Sequence, residues 1–299
     1  MKDSKIEWCH DTANAWIGCT EVHEGCDHCY ARTLNHRWGN ENWGTDVPRR
    51  AVKKFWSDLD SSQKLAVKSG ENRRVFIGSM MDIFEKPMPV VDSNGDQIYT
   101  HGGAMTTEML RYDLFMAIED GKYSKLIFLF LTKRPSNINK YIPESWVKNG
   151  APENVIFGYS VVSQETARNI KDLQAVNGRR FLSMEPLLGP VDITPYLSDI
   201  DWVIVGGESG HGARPMHPDW VRSLRDQCRA FNVPFLFKQW GEWYPTEKRS
   251  AMESNEIVIV ASGKEKIMTV DPTAVVMKKV GKKEAGNFLD GEQYLEFPA

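Results

Sequence analysis

The sequence predicts an α/β fold: a full or partial (β/α) TIM-type barrel of about six to seven parallel strands, with a small C-terminal appendage. Three observations carry that expectation. Short apolar runs recur without polar alternation, as strands do when both faces are covered. Amphipathic stretches at helical spacing separate them. The alternation repeats along the chain and stops after Tyr244.

In chain order, the strand candidates are residues 15–18, 75–78, 126–131, 155–161, 180–184, 202–205 and 234–237, rich in Val, Ile, Phe and Leu. The helix candidates are 30–38, 106–119, 163–176 and 218–231. The second places Met109, Leu110, Leu114, Met116, Ala117 and Ile118 at roughly helical spacing. The third opens on SQET, a capping-like start. The fourth puts Trp220, Val221, Leu224, Cys228 and Phe231 on one face, with Asp219 in its first turn.

Two stretches interrupt the rhythm. Residues 82–104 form a long connection rich in Pro, Gly and Asp, of the length that lids and binding loops have. Residues 41–60 contain RRAVKKFW at 49–56. That segment could meet a phosphate backbone with stacking aromatics, but it reads better as an amphipathic helix with a solvated basic face. The expected division is a barrel domain over 1–244 and an extension over 245–299 packed on it. The extension holds a hairpin-like pair, 256–260 and 266–270, turned by Ser262-Gly263.

Composition bounds the function. The chain has 299 residues, 41% hydrophobic and 26% charged, as a folded globular protein does. No apolar run approaches the roughly 18 to 20 residues of a membrane-spanning helix, so no membrane is expected. The N-terminus carries no apolar signal segment, and the expected location is cytoplasmic. A net charge of −3, from 37 basic and 40 acidic residues, excludes binding that rests on bulk phosphate neutralisation. Nucleic acid would need a local patch.

The cysteines are the central feature. Four of the five, Cys9, Cys19, Cys26 and Cys29, precede residue 30. This placement points to metal or redox chemistry rather than a disulfide scaffold. Cys19, Cys26 and Cys29 stand in GCTEVHEGCDHCY with spacing C-x6-C-x2-C. A Cys-x2-Cys pair opening a helix gains thiolate stabilisation from the helix N-terminus. Structural zinc wants four ligands, and His23, His28, His36 or Cys9 could supply the fourth. A [4Fe–4S] cluster on three thiolates instead leaves one iron open to a small molecule. Unrelated buried thiols are the bland alternative, and Cys228 on an apolar helix face reads as core.

At this point the sequence resembles the phage-associated, radical-SAM-like three-cysteine family. The shared residues include IEW at 6–8, GC at 18–19, GCDHCYA at 25–31 and LTKRP at 131–135. SMEPLLGPVD at 183–192, DWVIVGGESGHGARPMHPDWVRSLRDQC at 201–228 and VPFLFKQWGEW at 233–243 continue the set. VGKKEAG and LDG near the C-terminus complete it. The resemblance implies an enzyme whose cofactors are a [4Fe–4S] cluster on Cys19, Cys26 and Cys29 and S-adenosyl-L-methionine (SAM), the latter cleaved to a 5′-deoxyadenosyl radical. The usual spacing of radical SAM enzymes is C-x3-C-x2-C, and here the first gap is six. His28 takes the place of the aromatic residue beside the adenine.

In barrels, chemistry sits at the C-terminal ends of strands. Those ends hold Ser79 to Asp82, Thr132 to Arg134, Ser160, Glu185, Gly206 to Glu208, and Lys238 with Gln239. Lys133 or Arg134 is expected to pair with the SAM carboxylate, and Ser160 or Glu185 with ribose hydroxyls. GGES at 206–209 follows too late a strand to be the segment that receives the methionine amino group. Residues 79–82 are its topological equivalent, with Ser79 in the segment and Asp82 as acceptor. Glu208, after two glycines that let a ligand approach, is a further cofactor-binding candidate, and His211, Arg214 and His217 fall on a candidate substrate loop. The resemblance also implies a nucleic-acid or nucleotide substrate (DNA modification or repair), an electron donor, a partner protein encoded nearby, and the cytoplasm of a bacterial host or phage-infected cell. The competing reading is a zinc-binding, non-enzymatic nucleic-acid-binding phage protein. A third is a degenerate radical SAM protein that keeps its cluster for structure or redox sensing.

Overall fold

Seven parallel strands make the principal sheet of the computed structural model, which describes residues 3–246, 252–263 and 271–298. They are β1 (Asp11–Ala13), β2 (Arg73–Ile77), β3 (Leu126–Thr132), β4 (Val155–Ser160), β5 (Arg179–Met184), β6 (Trp202–Gly206) and β7 (Phe235–Gln239). Their order in the sheet is their order in the chain. A winding that never reverses is that of a barrel rather than of a doubly wound sheet. Among the described residues β1 and β7 do not pair with each other, so the barrel is partial.

The chain divides into two compact units. The first comprises Met1–His23, Cys29–Tyr159 and Asp172–Arg180. Within it β1 pairs β2, β2 pairs β3 and β3 pairs β4, all parallel. Phe128, Phe130 and Phe157 on these strands pack with Phe84 and Phe115. Three helices flank the strands: α1 (Tyr30–Arg37), α2 (Phe55–Ser69) and α3 (Thr107–Glu119). In α2, Phe55, Leu59, Ser62 and Ala66 are buried along one stripe, and Gly70 ends the helix at φ 77°.

The second unit comprises Glu24–His28, Ser160–Lys171 and Phe181–Ala299. Its strands β5, β6 and β7 run parallel. Its main helix, α4 (Pro218–Ala230), buries Trp220, Val221, Leu224 and Cys228, so that cysteine is core as expected. A small antiparallel sheet joins β8 (Trp243–Thr246), β9 (Glu256–Ile259) and β10 (Val275–Lys279), with β10 in the middle. Residues 288–296 line the far side of this unit. Trp202 and Trp240 donate their indole N–H groups to the carbonyls of Glu296 and Phe288, at 2.9 and 2.8 Å.

Several expected elements differ in detail. The first strand of the sheet is Asp11–Ala13, not 15–18, and it is polar and buried. Asp11 is neutralised by two hydrogen bonds of 2.9 Å from Arg73, which lets a carboxylate sit where an apolar residue was expected. Trp16–Ile17 instead pairs antiparallel with Arg49–Ala51. The basic segment 49–56 is no single helix. It is that short strand followed by the start of α2, and Arg49 is fully buried, which removes it from any solvated basic face. The 163–176 helix breaks into Gln164–Ala167 and Ile170–Gln174. Of the expected hairpin, 266–270 lies outside the described residues, and β9 pairs with β10.

Candidate functional site

The cysteine loop has two arms, one in each compact unit. The Cys19 arm belongs to the first. Gly18, at φ 121°, has no room for a side chain: a Cβ would lie 2.1 Å from the Asn42 carbonyl oxygen and 2.8 Å from Arg49 Cδ. The chain therefore closes tightly just before Cys19. The Cys19 carbonyl accepts from Gly44 N–H at 3.0 Å, and Thr20 Oγ1 donates to the Gly44 carbonyl at 2.9 Å.

Arg49 braces this arm from below. Its Nε and Nη2 donate to Glu85 at 2.8 Å each, and Nη2 also donates to Thr20 Oγ1 at 2.9 Å. Its Nη1 reaches the carbonyls of Asn42, Gly44 and Val47. Trp16 Nε1 donates to the same Glu85 at 3.1 Å. A buried guanidinium with every donor used is an ion pair whose desolvation is compensated by geometry.

Arg134, at the end of β3, braces the arm from above. Nη1 donates to Asp82 Oδ2 at 2.7 Å and lies 3.8 Å from Cys19 Sγ, while Nη2 donates to the Thr20 carbonyl at 2.6 Å. Asp82 also accepts from Thr132 Oγ1, Phe84 N–H and Lys133 N–H. All four of its contacts come from the chain itself, so in this structure it positions Arg134. Burial pushes the Cys19 thiol up to about 12; Asp82 and Glu85 add to that, and Arg134 opposes it. Cys29 is the N-cap of α1, yet its thiol makes no capping bond. One residue on, the Tyr30 hydroxyl donates to the Ser79 carbonyl at 2.6 Å, and Ser79 Oγ accepts from Asn14 at 2.8 Å. Lys133 is half-buried.

The Cys26 arm belongs to the second unit. Cys26 is buried at the end of the 3₁₀ turn Glu24–Cys26. His28 Nδ1 lies 2.9 Å from Glu208 Oε2. Arg214 meets the same carboxylate through its backbone N–H, Nε and Nη2, at 2.8, 2.9 and 2.7 Å. Burial pushes the Glu208 carboxyl up, but the Arg214 and His28 hydrogen bonds outweigh it and hold the group below its ordinary range.

Farther along the strand ends, Glu185 Oε1 pairs with Lys238 Nζ at 2.9 Å, and Ser183 Oγ donates to Oε2 at 3.3 Å. Ser160 is buried at the end of β4. The glycines before Glu208 admit protein neighbours. A Cβ on Gly206 would lie 2.6 Å from Glu185 Oε1, and one on Gly207 would lie 2.0 Å from the Trp240 carbonyl oxygen. His211 lies on an exposed turn, whereas His217 is buried as the N-cap of α4.

Sequence reasoning named Glu208, Arg134 and Asp82 but gave each to the cofactor. It placed Arg49 on a solvated basic face and did not single out Glu85, because a run of basic residues does not show which one folding will bury against a carboxylate. Among the described residues, no group of three or more His, Cys, Asp or Glu side chains is drawn together around a common metal position. The donors fit an iron–sulfur group in kind: Cys19, Cys26 and Cys29 form no disulfide, and the Cys29 thiol is not spent on its helix cap. No helix is long and apolar enough to cross a membrane among the described residues.

No curated protein matches the chain significantly. Among solved structures it is similar to spore photoproduct lyases. A mutant with bound AdoMet and dinucleoside spore photoproduct aligns at TM-score 0.40 and 12% identity, over 81% of this chain and 66% of that one. A second mutant aligns at TM-score 0.43 and 13% identity, over 84% and 69%. A complex with dinucleoside spore photoproduct aligns at TM-score 0.42 and 12% identity, over 80% and 65%. This chain thus spans about two thirds of the lyase's length. A family model described as a protein of unknown function matches residues 3–298, nearly end to end, and the chain belongs to that family, DUF5131.

Proposed function

We propose that this chain is a radical SAM-type enzyme acting on a nucleic-acid or nucleotide substrate, with Cys19, Cys26 and Cys29 holding a [4Fe–4S] cluster. The observation that carries the reading is the donor set. Three thiols at C-x6-C-x2-C spacing are spared from disulfides, and the Cys29 thiol is spared from capping as well, while both arms of their loop are fixed by polar networks. When bound, such a cluster supplies an electron to SAM and so a carbon radical able to take hydrogen from an unactivated C–H bond.

The chain's own residues do the rest. Gly18 and Arg49 set the backbone at Cys19. Arg134 places a positive charge beside that sulfur, which opposes the burial that holds its thiol protonated. Lys133, Ser160 and Glu185 are the residues we assign to SAM, as partners for its carboxylate and ribose. An electron donor is required, and the substrate enters by a local patch, because the net charge of −3 gives no general attraction to phosphate.

The test is anaerobic purification, reconstitution with iron and sulfide, and assay under dithionite. The expected result is broad absorbance near ~400 nm from a thiolate-ligated cluster, with 5′-deoxyadenosine formed from SAM. Both are lost in Cys26→Ala. A colourless protein holding one zinc would sink the reading and make the cysteines a structural clip. A coloured protein that never cleaves SAM would point instead to a cluster kept for redox sensing.

A further inference from the structure

We propose that Glu208 and Arg214 are positioning residues that clasp the Glu24–His28 arm of the cysteine loop, fixing the backbone on both sides of Cys26. The assignment deepens the reading above, since it gives the clasp the task of presenting Cys26 to a metal.

The carboxylate of Glu208 is buried, 6% exposed, and offers about four acceptor positions. Four donors from the chain meet it: the backbone N–H, Nε and Nη2 of Arg214, and Nδ1 of His28. Three of them fall on Oε2 and one on Oε1, so the carboxylate is held mainly by the chain itself. Glu208 therefore acts through the residues that it holds.

Arg214 carries the grip across. Nη2 donates to the Glu24 carbonyl at 2.9 Å, and Nη1 donates to Asp27 Oδ2 at 3.2 Å. One guanidinium thus holds the chain two residues before Cys26 and one residue after it. His28 adds a third hold. A carboxylate can only accept, so a neutral His28 donates from Nδ1 and keeps its Nε2 lone pair. The 206–214 loop lies against that ring: a Cβ on Gly212, at φ 78°, would come within 3.1 Å of His28 Nε2. Planar, forked donors with fixed geometry set a backbone far better than a point charge does. Supporting residues of this kind typically govern metal affinity without touching the metal.

The experiment compares wild type, Arg214→Met and Arg214→Lys, full length, by amide hydrogen exchange without metal and by iron content after reconstitution and desalting. In Arg214→Met, exchange in a peptide spanning 20–30 is expected to quicken roughly tenfold or more. Peptides from β6 and β7 should keep their protection. Iron affinity should fall by about 10- to 100-fold. Arg214→Lys restores the charge beside Glu208 but not the fork, so it should fall between. Unchanged exchange at 20–30 in Arg214→Met would overturn the clasp. If that variant loosens β6 and β7 as well, Asp27→Asn decides: its side chain is 56% exposed, and its effect must be confined to 20–30. No change there also overturns the proposal. A wild-type chain that takes no iron defeats the proposed function alone, because the exchange measurement on metal-free protein still decides the clasp.

Discussion

Gly18 shows how one residue governs a site that it does not touch. It sits at φ 121°, where an L side chain is strained, and its missing Cβ makes room for the Asn42 carbonyl. Gly18→Ala must push that carbonyl away, and the Gly44 to Cys19 hydrogen bond goes with it. We expect a loss of about 2 to 4 kcal/mol in stability, measured by urea unfolding, and poor iron retention in what folds. His217 is a second such residue. It is fully buried, accepts from Asp219 N–H through Nδ1 at 3.1 Å, and meets the Thr273 carbonyl through Nε2 at 2.8 Å. Burial lowers its pKa, against opposing pulls from the Thr273 carbonyl and Asp219. The unfolded chain then binds a proton that the folded one refuses. Stability contributed here is complete above the ordinary imidazole value of about 6.5 and falls as pH drops below it. His217→Asn keeps a capping acceptor but does not titrate. Melting curves from pH 8 to pH 5 should therefore show a shallower acid loss in that variant than in wild type.

At the scale of elements, α4 is the clearest case of pattern becoming packing. Pro218 opens it, His217 caps it, and Trp220, Val221, Leu224 and Cys228 form the buried stripe. Leu224 is wholly buried. Leu224→Ala should cost about 2 to 5 kcal/mol by transfer and cavity together, read as a lower urea midpoint at unchanged slope. In α1 the pattern serves the site. The helix starts at the residue after Cys29, so its unpaired N–H groups point towards that sulfur's end of the helix. The strands were legible for a simple reason. Phe128 to Phe130 and Trp202 to Val205 are apolar at nearly every position because both faces are covered. The first strand was not, because Asp11 and Thr12 are polar, and Asp11 owes its burial to Arg73, sixty-two residues away. The break in 163–176 escaped notice as well: Thr166 Oγ1 bonds back to the 162–163 backbone, and the cap closes a single turn.

For the molecule as a whole, the C-terminal residues are structural parts of the second unit. Phe237 N–H donates to the Tyr294 carbonyl at 2.9 Å, and Phe235 N–H donates to Glu296 Oε2 at 2.8 Å. With the Glu296 N–H donated to the Phe235 carbonyl, they cover one edge of β7. Deleting residues 287–299 uncovers that edge and removes the carbonyl acceptors of the Trp202 and Trp240 indoles, each lost bond costing about 1 to 3 kcal/mol. The truncated chain should precipitate on expression or unfold without a cooperative transition, as circular dichroism would record.

The sequence by itself determined the class of fold, six of the seven strands of its principal sheet, and the spacing of the three thiols. These follow from local facts: the period of apolar residues, the spacing of thiols, and the caps and glycines that start and stop elements. Only the tertiary structure decided what the charged residues at the strand ends are for. From the sequence, Asp82, Arg134 and Glu208 were free polar groups available to a cofactor. In the fold each is claimed by other residues of the chain, Asp82 by Arg134, and Glu208 by Arg214 close by and by His28 far along the sequence. A buried charge must be paired where it lies, and no local pattern reveals a partner that folding brings from 180 residues away, as it brings Glu208 to His28.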